Sequence, residues 1–458
     1  MCGIFGIRGH PDAAALTQLG LYSLQHRGQE SSGILSVDAN GEAHLERAMG
    51  LVSEGMGGDR LGTLPGTMAI GHTRYSTAGS STLGNAQPIV ARTRGTHIAL
   101  AHNGNLVNAV ELRNTLEARG SIFASSMDSE VLLHLLARSQ APTPEARMAE
   151  ALQDVVGAYC LVVVVGDALV AARDPHGWRP LTIGKVGEAW VIASETCALD
   201  IVGATKVRDV EPGEIVRMDA SGLTSISPFA PTSLRRCVFE HVYFARPDSH
   251  IFGGSVDHTR RALGRRLAQE QPVVGADVVF AVPDSSNAAA LGYAETAGLP
   301  FEFALIRNHY IGRTFIQPTQ AGRDAKVKVK YNAVRELIEG KKVIMVDDSI
   351  VRGTTTRGLV QMVRHAGARE VHMRVSSPPI TGPCYYGIDT PKKDELIAAN
   401  HPVEEIGRML EVDSLGYLSL EGMLAAAPGG PGGYCHACFS GDYPTAPPTD
   451  PARTRNGA

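Results

Sequence analysis

The sequence has no excess of basic charge. Its 458 residues carry 43 Lys and Arg against 47 Asp and Glu, a formal net charge of −4. Non-specific nucleic-acid binding needs a basic surface, so no nucleic-acid partner is expected. Long apolar runs are also missing. Stretches such as "CLVVVV" at 160–165 fall far short of the roughly 18 residues that cross a bilayer, and no membrane partner is expected. No charged segment followed by an apolar one opens the chain, so no signal peptide is read and a cytoplasmic location is expected. Neither G-x-x-x-x-G-K-[ST] nor G-x-G-x-x-G occurs, which disfavours ATPase and dinucleotide-binding readings. There is no internal repeat. Seven cysteines in a chain of this length point to chemistry or metal rather than to a disulfide framework.

The chain is too long for one ordinary core, so two domains are expected. The first half reads as short strands between Gly turns. "AIGHTRYST", "HIALAHNGNL" and "AYCLVVVVGDALVAARD" are β-rich, with a hairpin at Gly166–Asp167. "MDSEVLLHLLARS" reads as a helix capped by Asp128 or Ser129, with an apolar stripe at Val131, Leu132, Leu135 and Leu136. The pattern predicts an α+β fold with stacked sheets. "ISPFAPTSLRR" breaks the periodicity and marks a boundary near 225–236. Beyond it, "VVGADVVFAVPDSSNAAALGYAETAG" and "KKVIMVDDSIVRGTTTRGLVQMVRHAG" each read strand, loop, helix. That alternation predicts an α/β domain with a mainly parallel sheet. The expected division is 2–231, 232–440 and a disordered tail over 441–458, whose composition cannot bury apolar surface.

Cys2 stands where removal of Met1 makes it the N-terminus. Its thiol and a free α-amine would then share one residue, and an amine of ordinary pKa near 8 can take the thiol proton. A small hydrophobe at the start of an edge strand is the alternative. The Gly-rich polar loops "QHRGQESSG", "GHTRYSTAG", "HNGNL" and "MDSE" supply the rest of an amide-hydrolysing site. The Asn103 side-chain amide and the Gly104 N–H suit an oxyanion hole. Arg74 suits a substrate α-carboxylate, and Asp128 a substrate α-ammonium. The substrate that fits is glutamine.

These motifs, in this order, resemble the class II glutamine amidotransferase domain, an N-terminal nucleophile hydrolase, over residues 2–230. The resemblance implies an αββα sandwich, Cys2 as nucleophile, Arg74 and Asp128 as glutamine clamps, and Asn103 with Gly104 as oxyanion hole. Because that family uses no separate His base, His26 and His72 are read as structural.

The second half should hold the acceptor of the ammonia. "VIMVDDSIVRGTTT" ends an apolar strand in Asp347 and Asp348, then opens a helix with Gly353, Thr354, Thr355 and Thr356. Backbone N–H groups and hydroxyls there make a phosphate cradle. The two carboxylates suit ribose hydroxyls, directly or through Mg²⁺. A generic nucleotide loop or plain helix capping is the alternative. The arrangement, with Ser349, resembles the phosphoribosyltransferase signature. "VPDSSNAAA" resembles the pyrophosphate-side loop of that family, with Ser285 as a metal or pyrophosphate contact. Residues 307–333 resemble its lid, where Arg307, Arg313, Lys326, Lys328 and Lys330 would neutralise pyrophosphate; for the lysines a solvated edge strand is an equal reading.

Both domains in this order resemble the amidophosphoribosyltransferase family, which makes 5-phosphoribosylamine from glutamine and phosphoribosyl pyrophosphate in the first step of purine (IMP) synthesis. Two other readings stay open: a class II amidotransferase with another acceptor, and a phosphoribosyl-pyrophosphate-sensing regulatory protein. "YCHACF" with Cys435 and Cys438, plus the distant Cys237 and Cys384, can form a tetrathiolate site. Spacing alone favours zinc. The family's cluster-bearing branch, with "CHACFSGDYP"-like endings, implies a 4Fe–4S cluster, with zinc or no metal as alternatives. Cys160 and Cys197 are expected to be buried and inert. The resemblance further implies AMP and GMP as feedback inhibitors and a homotetramer.

Overall fold

The computed structural model describes residues 1–75, 80–309, 329–390 and 392–448. Arg313, Lys326 and Lys328, residues 76–79 of the "GHTRYSTAG" loop, and the chain from 449 on lie outside the described residues.

The first domain is two stacked sheets. Its strands are β1 (Gly3–Arg8), β2 (Ser31–Val37), β3 (Ala43–Met49), β4 (Met68–Arg74), β5 (Ile89–Thr93), β6 (Thr96–Leu106), β7 (Gly157–Val165), β8 (Ala168–Arg173), β9 (Thr182–Val186), β10 (Ala189–Ala193), β11 (Thr205–Asp209), β12 (Ile215–Asp219) and β13 (Gly222–Ile226). A seven-stranded sheet runs β11-β9-β10-β1-β4-β2-β3, and a six-stranded one runs β13-β12-β8-β7-β6-β5. Alternation along the strands divides the apolar side chains between two faces. Ile4, Leu35 and Ile70 pack against Ala99, Ala101 and Val162 between the sheets. Phe5, Ile7 and Ile34 face outward against the helix Ala13–Ser23. On the other outer face Leu100, Leu161 and Val163 meet the helices Glu130–Arg138 and Pro144–Leu152. The layer order is therefore αββα. The turn after β7 falls at Gly166–Asp167 as expected. The Glu130–Arg138 helix differs in detail: Ser129 is its N-cap residue without a side-chain cap bond, and Leu133 is buried where Leu135 is only half-buried. The helix is packed on two sides, by sheet and by neighbouring helix, so its apolar face is wider than one stripe.

Residues 227–235 carry no regular structure. Beyond them lies an α/β domain with a four-stranded parallel sheet: β14 (Val278–Ala281), β15 (Lys342–Asp347), β16 (Glu370–Val375) and β17 (Ser414–Tyr417), adjacent in that order. Continuous apolar runs such as "VIMV" in β15 are buried because helices cover both faces. The loops "VPDSSN" and "DSIVRG" fall beyond the carboxyl ends of β14 and β15, where open parallel sheets bind ligands. The sequence places 441–448 in a tail, but part of it docks. Tyr443 Oη donates to Pro383 O at 2.7 Å and the Thr445 N–H to Tyr386 Oη at 3.1 Å, because two aromatic hydroxyls meet free backbone groups there.

Among the described residues, no helix is long and apolar enough to cross a membrane.

Candidate active sites

Cys2 immediately precedes β1, the central strand of its sheet, and is 8% exposed. Its backbone N–H donates to Asn103 Oδ1 at 3.1 Å, and its Sγ lies 3.7 Å from Tyr75 O. Asn103 comes from β6 in the opposite sheet. Its Nδ2 is buried and has no hydrogen-bond partner. A buried amide donor left unpaired is costly, and an oxyanion formed at Cys2 would satisfy it. Gly104 follows, packed so tightly on β7 that a Cβ would stand 2.0 Å from Ala158 O. Only glycine lets the strand approach so closely.

The two expected clamps come from neighbouring segments: Arg74 follows Thr73, the partner of Gly3, and Asp128 bonds Leu106 in the strand of Asn103. Arg74 ends β4, and its guanidinium reaches Glu30 Oε1 at 3.3 Å and Ser80 O at 3.0 Å. Asp128 accepts from the Leu106 N–H at 2.9 Å and from Ser129 Oγ at 3.1 Å. Both histidines are held by neighbouring groups, and His26 also lines one of the cavities of the second site. His72 Nε2 lies 3.1 Å from His102 O, and burial pushes its pKa down to about 3. His26 bridges Glu195 Oε1 at 2.8 Å and Ser23 O at 3.1 Å.

Sequence reasoning missed the network beneath Cys2. Arg27 Nε donates to Cys2 O at 3.0 Å. Its guanidinium also pairs with Glu195 and with Glu240, the latter at 2.8 Å. Arg179 reaches the same Glu240 at 3.3 Å. All four side chains are fully buried, and Glu240 belongs to the second domain. Burial alone would raise the Glu195 carboxyl. His26 and Arg27 outweigh it and hold the group far below the usual carboxylate range. Met1 is buried against Arg27 and Arg179, and burial lowers its amine to about 6.

The second site opens at the end of β15. Asp348 accepts from Ser285 Oγ at 2.5 Å and from Ser349 Oγ at 2.6 Å, and Asp347 from Ser286 Oγ at 3.2 Å. Burial raises both carboxyls above the ordinary range, and for Asp347 the charge of Asp348 adds to it. Two adjacent buried carboxylates with hydroxyls around them fit a divalent cation or ribose hydroxyls. Two cavities of about 390 Å³ each share Asp348. One is lined by Ser349, Gly353, Thr354 and Thr355 at the start of the helix Thr354–His365, and by Ile388, Asp389 and Thr390. It reaches Tyr75, whose carbonyl meets Cys2 Sγ. The other is lined by Ser285, Arg307, Lys330 and Tyr331. Arg307 pairs with Asp284 at 2.8 Å. Tyr75 belongs to the "GHTRYSTAG" loop, but no local sequence signal marked Ile388 or Asp389, which lie far from the signature loop in sequence.

The four expected cysteines occupy one region. Cys237 and Cys435 are direct partners in a parallel pair formed by Arg236–Cys237 and Tyr434–Cys435. The backbone N–H groups of Thr381 and Gly382 donate to Cys438 O at 2.9 and 3.0 Å, and the Tyr386 N–H to Cys384 Sγ at 3.3 Å. Burial pushes the Cys237 thiol up to about 12 and that of Cys435 up to about 11. The Cys438 thiol is raised by burial and then by the charges of Cys384, Cys237 and Cys435. Among the described residues no three His, Cys, Asp or Glu close around a single ion. One buried thiol and three partly buried ones make a donor set of the soft kind that zinc or an iron–sulfur cluster takes. Cys160 and Cys197 are buried elsewhere, and burial raises both thiols.

A family model described as a glutamine amidotransferase domain matches residues 72–200. The chain is 49% identical over 453 residues to an amidophosphoribosyltransferase of Bacillus subtilis, covering 97% of this chain and 94% of that one. A relative of the same description in Archaeoglobus fulgidus is 49% identical, with 98% and 99% covered. A chloroplastic one in Arabidopsis thaliana is 50% identical, with 97% and 79% covered. Among solved structures, the allosteric regulatory enzyme of purine biosynthesis superposes with a TM-score of 0.93 at 49% identity, covering 98% of this chain and 97% of that one. The B. subtilis glutamine phosphoribosylpyrophosphate amidotransferase complexed with ADP and GMP superposes with a TM-score of 0.91 at 48% identity, covering 97% and 98%.

Proposed function

The chain belongs to the amidophosphoribosyltransferase family, and from that premise we propose how its own residues hydrolyse glutamine and hand the nitrogen to phosphoribosyl pyrophosphate. Removal of Met1 frees the Cys2 amine. The amine takes the Sγ proton, directly or through water, and the thiolate attacks the glutamine side-chain carbonyl. Asn103 Nδ2 and the Gly104 N–H receive the oxyanion, while Arg74 and Asp128 hold the α-carboxylate and α-ammonium. The C–N bond breaks, the protonated amine gives its proton to the departing nitrogen, and ammonia leaves. Water then cleaves the thioester and releases glutamate.

Ammonia protonated in bulk water is no nucleophile, so a closed route matters. The observation that carries this reading is the cavity that joins Asp347 and Asp348 to Tyr75, whose carbonyl stands 3.7 Å from Cys2 Sγ. Ammonia attacks C1 of the ribose as the C1–O bond to pyrophosphate breaks, and the new amine loses a proton. Asp347 and Asp348 orient the ribose hydroxyls. Ser349, Gly353, Thr354 and Thr355 seat the 5-phosphate. Arg307 and Arg313 meet the pyrophosphate. Mg²⁺, held by Ser285, Asp347 and Asp348, supplies charge neutralisation when bound. Cys237, Cys384, Cys435 and Cys438 would hold a 4Fe–4S cluster, with zinc as the alternative, fastening the C-terminal segment to the domain start. AMP and GMP as inhibitors, a homotetramer and a cytoplasmic location belong to the same proposal. The nucleotides bound to the B. subtilis protein support the inhibitor assignment.

The Cys2→Ala variant tests it. Glutamine-dependent synthesis and glutamate release should fall at least about 1,000-fold, while ammonium at high pH still supports synthesis. Glutamate release at the wild-type rate would end the nucleophile assignment. Intact mass reports the state of Met1, because a retained Met1 leaves Cys2 N an amide that cannot act as base.

A further inference from the structure

A loop of the second domain lies directly against the oxyanion strand. Residues 384–390 close on themselves: the Cys384 N–H donates to Thr390 Oγ1 at 2.6 Å, and the Tyr386 N–H to Cys384 Sγ at 3.3 Å. Three bonds fasten this loop to the first domain. Asn105 Nδ2 donates to Tyr385 O at 2.9 Å, and Arg179 Nε and Nη2 donate to Tyr386 O at 3.2 and 2.5 Å. Gly387 then meets the Gly104 peptide. A Cβ placed on Gly387 would stand 2.9 Å from both the carbonyl carbon and the oxygen of Gly104. That is well inside the roughly 3.5–4.0 Å of ordinary carbon contact. Its φ of +102° is one that residues with a side chain rarely adopt. The contact falls on the Gly104 Cα and carbonyl, one Cα removed from its N–H, so the backbone of Gly104 is packed both by β7 and by a loop that belongs to the other domain.

We propose that the 384–390 loop is a positioning element for glutamine hydrolysis, with Gly387 setting the Gly104 peptide and Asn105 pinning the loop in place. The proposal rests on the assignment of Asn103 and Gly104 as oxyanion donors. An N–H that stabilises an oxyanion works only at about 2.7–3.1 Å, and a displacement of about 1 Å can cost 100-fold. Gly104 stands in the middle of a strand pair, with Tyr159 opposite. The pair sets its direction along β6, and the loop limits its movement toward the second domain. Gly387 is a positioning residue, since it touches Gly104 and not the substrate. Ile388, Asp389 and Thr390 of the same loop line the cavity at Asp347 and Asp348, so the telling quantity is the loss of glutamate release in excess of any loss of ammonium-dependent synthesis.

The test measures glutamate release, glutamine-dependent synthesis and ammonium-dependent synthesis side by side in the full-length protein. Gly387→Ala should lower kcat for glutamate release about 30-fold more than it lowers ammonium-dependent synthesis, with KM for glutamine within about threefold of wild type. Asn105→Ala removes only the bond to Tyr385 O and should give the same selective loss at about fivefold. If Gly387→Ala does not fold, Asn105→Ala decides alone. Parallel loss of both activities would assign the loop a purely structural role and overturn the proposal, as would glutamate release within twofold of wild type. Asn103→Ala separates the proposal from its premise. Glutamate release that survives Asn103→Ala breaks the oxyanion assignment, whereas loss in Asn103→Ala alone breaks only the loop's role.

Discussion

Under the proposed mechanism, the first site meets a negative charge that exists only during the reaction with neutral donors. At the second, two standing negative charges are kept buried for a cation or hydroxyls. The donors Asn103 and Gly104 sit on a long strand paired along its length with β7. The carboxylates Asp347 and Asp348 sit where a strand has just ended, held by serine hydroxyls from two loops. Strand pairing gives precision for a short-lived oxyanion. Loop ends give room for a large polyanionic substrate and its counter-ions. The cost also differs: an unpaired amide nitrogen in one case, two repelling carboxyls in the other.

The sharpest way to break this comparison is to neutralise one carboxylate. Asp347→Asn or Asp348→Asn should lower synthesis from both glutamine and ammonium by about 100-fold or more, while Cys2 still releases glutamate. Equal synthesis from ammonium would refute the assignment. Stability should move the other way. Both carboxyls titrate above their unfolded value, so the stability they lend is whole below that value and lost as pH rises through the folded one. At pH 7.5, metal-free Asn variants should therefore melt about 2–4 °C higher than wild type. An unchanged or lower melting temperature would show that the pair is not held at a cost to the fold.

The thiol quartet, built from neutral or metal-bound sulfur, sharpens the comparison as a third kind of site. Protein purified without oxygen should be brown with about four irons per chain. Ser at Cys237, Cys384, Cys435 or Cys438 should lose the colour and melt about 5 °C lower. Ser at Cys160 or Cys197 should keep both. Colourless active protein with stoichiometric zinc would replace the cluster but keep the quartet.

The smallest expected effect concerns one buried histidine in each domain. Burial lowers His72 and His241 to about 3, and neither nitrogen of His241 has a hydrogen-bond partner. The unfolded chain protonates each near 6.5, so their stability is present above that pH and lost as pH falls toward 3. His241→Phe should flatten the slope of unfolding free energy against pH between 6 and 4 by about 1.4 kcal/mol per pH unit, one proton's worth. Chemical denaturation at a series of pH values reads this directly. An unchanged slope would mean that His241 is protonated in the fold.

The contiguous motifs were readable from the residues alone, and the structure sets Cys2 against Asn103 and Asp347 at a strand end. Cys2, Asn103–Gly104 and Asp347–Asp348 each stand in a short loop or strand end whose residue types fit one task. The layer order followed from alternation, as in β1, where Ile4 faces one sheet and Phe5 the opposite helix. Arg27 and Glu240 were not readable, because 213 residues separate them and neither lies in a periodic pattern that points to the other. The same holds for Gly387 against Gly104. Contacts of this kind depend on how the two domains meet, which no local spacing encodes.

The Arg27–Glu195–Glu240–Arg179 network bears on how freely the two halves could be exchanged. A glutaminase unit cut out at 227–235 would keep Glu195 but leave Glu240 behind. Arg27 would lose one of its two carboxylates, and Arg179 the one it contacts. Removing one member of a buried ion pair typically costs about 3–5 kcal/mol, a large share of what a domain has to spare. A chimaera carrying a different acceptor domain must therefore bring a carboxylate to the position of Glu240. The seam between the domains, more than either catalytic loop, decides which acceptors this glutaminase can be grafted onto.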